Sequence, residues 1–205
     1  MPQLRNVSVL DPPAHDLPRL MFEAARRAEA MGLIEPGGAQ SDAAGVRHLA
    51  NKLRRVGIAA SAADLLNNVE TPSDRELVDL LHTIVAALDA SPVPKCEWGG
   101  LARVFPPEDL AALLGISLSS LKRYQSAERD TPDDVAARLH FLALVVGDLA
   151  GSYNNTGIRR WFQRRRTLLD GRRPAALLKH DWDPDDAEPR RVRELARNLV
   201  TLSGT

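Results

Sequence analysis

The residues with the most chemistry to offer are arginines. Seven of them, Arg159, Arg160, Arg164, Arg165, Arg166, Arg172 and Arg173, lie between Tyr153 and Ala175 with a single aspartate, Asp170, so seven positive charges and one negative leave +6. A guanidinium offers a rigid fork of donors that fits phosphate and carboxylate, so the cluster suits DNA phosphates or an acidic or nucleotide-binding protein partner. The plain alternative is internal pairing. Asp181 to Pro189 carries five carboxylates and no cation, close enough in sequence to pair with the arginines.

A second candidate surface lies upstream, in Asp109 to Tyr124. Ala111 is small, Gly115 follows four residues later, and Leu110, Leu114, Ile116, Leu118 and Leu121 are apolar. That is the pattern of a helix-turn-helix: a small residue where the helices cross, a glycine for the left-handed turn, and apolar residues that lock the corner. Ser117 is placed to cap the second helix. Its exposed positions are then Ser119, Ser120, Lys122, Arg123 and Gln125, with no carboxylate among them. Small hydroxyls at the helix start and cations further along suit base edges and phosphates. A plain helical corner reads the same way. Glu128, Asp130, Asp133 and Asp134 follow closely and oppose phosphate.

No catalytic residue is expected. There is no nucleophile elbow, no phosphate-binding glycine loop and no paired-histidine metal motif. His15, His48, His82, His140 and His180 are scattered, and a lone histidine on an amphipathic helix reads as a core or boundary residue. A single cysteine, Cys96, excludes an internal disulfide and a multi-cysteine zinc site. No metal or cofactor is expected. The opening residues do not read as a signal peptide, and no apolar run reaches the length of a membrane span. The expected location is cytoplasmic, away from membranes.

The elements that position these residues read as helices. Strand signals are scarce, so the fold class is all-α. Asp16 and Pro18 open a first helix that stops at Gly32; Ala43 to Val56 and Ser61 to Asn68 follow. Ser73 and Glu76 form a capping-box pattern ahead of a face of Leu77, Leu81, Ile84 and Leu88. Residues 89–100, with two prolines and two glycines, read as a connection between halves. Thr131 is expected to cap a long helix with Pro132 at its first position. There Val135, Leu139, Leu142, Val146, Leu149 and Tyr153 form a stripe that fits a central core helix or a dimer seam. The chain divides into residues 1–95, an N-terminal helical region; 100–153, the helix-turn-helix and long helix; and 154–205, a small C-terminal helical module.

The order of elements in the second half resembles the Xre/MbcA/ParS-type antitoxins over about residues 105–202. The likeness rests on the helix-turn-helix, the pair Trp161-Phe162, the run Leu169, Gly171, Pro174, Leu177, Leu178, and a closing helix with Val192, Leu195 and Leu199. The resemblance implies a type II antitoxin that neutralises a RES-domain toxin, an NAD-degrading enzyme, through the C-terminal module. It also implies repression of its own operon through the helix-turn-helix, and assembly as a homodimer or higher oligomer. Residues 1–95 have no counterpart in the shortest members, and the Asp181–Pro189 segment is more acidic than the usual connection. The other readings are a stand-alone DNA-binding regulator or architectural protein without a toxin, and a helical protein–protein adaptor.

The net charge bears on all of these. Lys and Arg total 27, as do Asp and Glu, so the formal charge is zero. A nucleic-acid binder usually shows a basic excess over the whole domain. Here the zero is a sum of segregated segments. A neutral monomer with few cations on its recognition helix is expected to need several aligned copies for useful DNA affinity.

Overall fold

The computed structural model describes residues 16–37 and 40–202. The opening segment and His15 lie outside them. Among the described residues the structure is entirely helical, which bears out the all-α class. No single described helix is long and apolar enough to cross a membrane.

The first four helices are α1 (Asp16–Ala30), α2 (Ala43–Arg54), α3 (Ala60–Asn68) and α4 (Asp74–Ala90). Their starts follow local chemistry. Asp42 accepts from the Gly45 N–H at 2.7 Å and caps α2. The Ser73–Glu76 capping box forms at α4, and the expected face Leu77, Leu81, Ile84 and Leu88 is buried. That face packs against α1, whose Leu20, Ala24 and Ala28 are buried in the same cluster.

The segment expected to be a connection is instead a helix, α5 (Pro94–Ala102). Pro94 sits at its first turn, where the missing N–H costs nothing. Gly100 serves packing, not flexibility. A Cβ there would lie 2.1 Å from the Ala30 carbonyl oxygen of α1. Trp98 and Leu101 face the core, and Glu97 is fully buried.

Next come α6 (Pro107–Leu114), α7 (Leu118–Gln125) and α8 (Asp133–Leu149). The last is the axis of the molecule, packed against α1, α5, α6 and α11 (Ala187–Leu202). Every residue from Arg138 to Leu149 is buried, so the helix is enclosed on all sides instead of along one stripe. The expected stripe is therefore core, not a dimer seam, with Tyr153 half-buried beyond the helix end. Thr131 is not the cap. Pro132 holds that position, and the Thr131 hydroxyl accepts instead from Trp98 Nε1 at 3.0 Å.

His140 is a core residue, as expected. Its Nε2 faces the Asp89 carbonyl at 3.1 Å and must donate. Its Nδ1 lies 2.6 Å from Glu97 Oε1, within hydrogen-bond distance, and the pair ties α5 to α8. The chain closes with α9 (Asn155–Gln163), a 3-10 turn at Thr167–Leu169, the short α10 (Pro174–Leu177) and α11. Helix α9 buries Ile158, Trp161 and Phe162, with Phe162 edge-on to Phe105 at 5.4 Å.

Trp161 is 1% exposed. Trp161→Ala is expected to lower stability by about 3–5 kcal/mol, the usual cost of deleting a buried ring. Urea unfolding reads this directly, and a change near zero would remove the ring from the core.

Candidate nucleic-acid and partner interface

The corner between α6 and α7 has the local chemistry of a helix-turn-helix. Gly115 takes φ +70° at the end of α6, and Ile116 N–H returns to the Ala111 carbonyl at 3.0 Å. Glycine is required twice over. A Cβ at Gly115 would also lie 2.2 Å from the His180 carbonyl oxygen, where the C-terminal segment crosses the turn. Ser117 then caps α7 by accepting from the Ser120 N–H at 3.1 Å.

Two contacts hold α7 in place from within. Leu121 and Tyr124 are buried on its inner face. Tyr124 stacks on Trp98 of α5 at 6.1 Å between centroids, so the helix that sequence reasoning missed is the prop of α7. The signal was present as Pro94 at a first-turn position with Trp98 and Leu101 at helical spacing. The prolines and glycines around it obscured that pattern.

The outer face of α7 carries the expected residues. Ser119, Lys122, Arg123 and Gln125 are exposed. Ser120 is half-buried, and its Oγ accepts from the Ser117 hydroxyl at 3.0 Å. Lys122 and Arg123 form no ion pair among the described residues. Of the carboxylates that follow α7, Asp134 is drawn into an ion pair with Arg138.

Arg138 joins this corner to the C-terminal segment. Its side chain is nearly buried, and Nη1 donates to the Leu114 carbonyl at 2.9 Å and to the His180 carbonyl at 3.2 Å. Nε donates to the Asp134 carbonyl at 3.1 Å. Trp182 adds a second tie, with Nε1 donating to the Leu113 carbonyl at 2.8 Å and its ring edge-on to Phe141. The last carbonyls of a helix lack intrahelical donors. Here two of those on α6 are satisfied by α8 and by the segment after α10.

The arginine cluster divides into two sets. Arg159 donates to the Val104 carbonyl at 2.7 Å and to Thr156. Arg166 lies over the Trp161 ring at 5.2 Å, where burial lowers the pKa of its guanidinium. Arg172 pairs with Glu188. By contrast, Arg160, Arg164, Arg165 and Arg173 are exposed and make no ion pair among the described residues. The acidic run is not their partner: Asp181 approaches Arg138 and Asp185 pairs with Arg190. Internal pairing thus accounts for Arg172 alone.

The turn that carries these cations is braced. Asp170 accepts from Arg191 Nη1 at 2.9 Å, which holds its carboxyl below the usual range and raises the arginine. Arg191 Nη2 donates to the Leu168 carbonyl at 2.9 Å. Leu168 itself is 69% exposed, and in sequence it lies between Arg166 and Arg172. A groove of about 550 Å3 runs between α6 and the segment from α9 to α10, with Asp109, Arg165, Asp170, Arg172, Arg173 and Lys179 in its lining.

Among the described residues, no group of three or more His, Cys, Asp or Glu side chains is placed to hold a metal ion. Burial raises the pKa of the Cys96 thiol and keeps it protonated at neutral pH. No family model, curated protein or solved structure matches this chain.

Arg138→Met removes the donor shared by two carbonyls. It is expected to cost about 1–3 kcal/mol, the penalty for leaving such groups unpaired. Hydrogen exchange should then quicken at residues 177–182 while α4 keeps its protection. Unchanged exchange there would show that Trp182 alone holds the segment.

Proposed function

We propose that this chain is a DNA-binding repressor that also docks a protein partner, as in a type II antitoxin that neutralises a RES-type NAD-degrading toxin. It is a binding protein and not an enzyme. The observation that carries the DNA reading is the outer face of α7. Ser119, Lys122, Arg123 and Gln125 are exposed there with no carboxylate on the helix itself, behind a glycine turn and a buried inner face.

The exposed arginines favour a protein partner over DNA for the C-terminal module. Leu168 lies between Arg165 and Arg173 in sequence and is exposed, and an exposed leucine gains nothing from phosphate. Set in an apolar pocket with carboxylates around its rim, it would be an anchor, with Arg160, Arg164, Arg165 and Arg173 pairing to that rim. An acidic toxin surface has this chemistry. Two cations per α7 give a shallow salt dependence and weak affinity, so the repressor acts as a dimer or larger assembly whose copies contact successive half-sites.

Each surface has its own test. Lys122→Ala with Arg123→Ala should abolish gel shifts of the DNA upstream of its own gene while leaving helicity intact. Retained binding would transfer the DNA surface to the arginine cluster. Leu168→Glu with Arg165→Glu should end rescue from a co-expressed RES-type protein encoded by a neighbouring reading frame, while DNA binding persists. Failure of the unaltered chain to rescue would remove the antitoxin reading and leave a stand-alone regulator.

A further inference from the structure

A groove of about 1020 Å3 runs between α1, α4, α8 and α11, away from both surfaces described above. Pro18, Phe22 and Val85 supply an apolar wall, and Phe22 is 42% exposed despite its ring. Arg27 and Asp148 also line the groove. Their side chains are only 3% and 4% exposed and lie 3.4 Å apart.

Two charges so deeply buried need complete hydrogen bonding to offset their lost hydration. Here it is incomplete. Arg27 Nε and Nη1 and Asp148 Oδ2 have no hydrogen-bond partner. Arg27 Nη2 is already paired with Glu23 Oε1 at 2.8 Å, and Nη1 lies 3.2 Å from Asp89 Oδ1 without hydrogen-bond alignment. Arg197 Nε approaches Asp148 Oδ2 only to 3.7 Å. Burial raises the Asp148 carboxyl above its ordinary pKa, against the opposing pull of Arg27. The site therefore offers unused donors and an unused acceptor side by side, below an apolar wall.

That combination selects the ligand's charge. A simple anion would meet Arg27 but set a like charge beside Glu23, Asp89 and Asp148, and a simple cation would set a like charge beside Arg27 and Arg197. A molecule that carries both charges on neighbouring atoms meets both requirements. We infer that this groove binds a free apolar or aromatic α-amino acid, its carboxylate on Arg27, its ammonium on Asp148 and its side chain against Pro18, Phe22 and Val85. The ammonium takes the position beside Asp148 that the Arg197 guanidinium now approaches. Small-ligand sites commonly have this form, an apolar cleft with a few convergent polar groups.

The test is calorimetric titration of the full chain with L-phenylalanine, 3-phenylpropionate and phenethylamine. Saturable binding of L-phenylalanine is expected, at least tenfold tighter than either single-charge analogue. Val85→Trp fills the apolar wall without touching a charged group, and should weaken binding tenfold or more at an unchanged unfolding midpoint. Asp148→Asn should narrow the preference for L-phenylalanine over 3-phenylpropionate. Equal binding of an analogue overturns the inference. So does undiminished binding to a folded Val85→Trp chain, or no heat from L-phenylalanine or L-leucine at about 10 mM.

Discussion

The surfaces this protein offers depend on one buried guanidinium. Arg138 rises from the enclosed helix α8 and donates to the end of α6 and to the segment after α10 through the same Nη1 atom. The α6–α7 corner and the segment after α10 are separated by a long stretch of sequence, yet they share that donor. Trp182 repeats the arrangement on the neighbouring carbonyl of α6. A corner of two short helices has little cohesion of its own, because isolated helices of this length are marginal in water. Its rigidity comes from α8 beneath it, from Trp98 behind α7 and from the C-terminal segment across the turn.

Charge is handled in the same economical way. Acidic and basic stretches adjacent in sequence do not simply neutralise each other. Arg159 and Arg166 turn inward to a carbonyl and a tryptophan ring, while Arg172 pairs with Glu188 at the surface. Four neighbours remain exposed, next to an exposed leucine. On the other side of α8, Arg27, Asp89, Asp148, Arg193 and Arg197 form a network that joins α1, α4, α8 and α11. Zero net charge is thus compatible with several separate electrostatic surfaces.

Much of the helical plan was legible from short-range chemistry. The Ser73–Glu76 box, the Ser117 cap and the Gly115 turn work between residues a few positions apart, and each formed where its pattern stood. Helix α5 was not legible. Its prolines and glycines break periodicity, and Gly100 is explained only by the α1 backbone against it. Thr131 illustrates the same limit. It has the chemistry of a cap, but the Trp98 indole reaches its hydroxyl from elsewhere in the chain.

The sequence by itself determined the all-α class, most helix boundaries, the buried faces and the polar outer face of α7, because these follow from spacing and capping within a turn or two. Tertiary structure alone decided which arginines stay exposed, since pairing depends on carbonyls and carboxylates brought in from distant helices. It also decided that the α8 stripe is core, because only packing shows that the helix is enclosed on every side. The same holds for the meeting of Arg27 with Asp148. The two residues stand far apart along the chain, and nothing in their local surroundings announces that α1 and α8 will set them in contact.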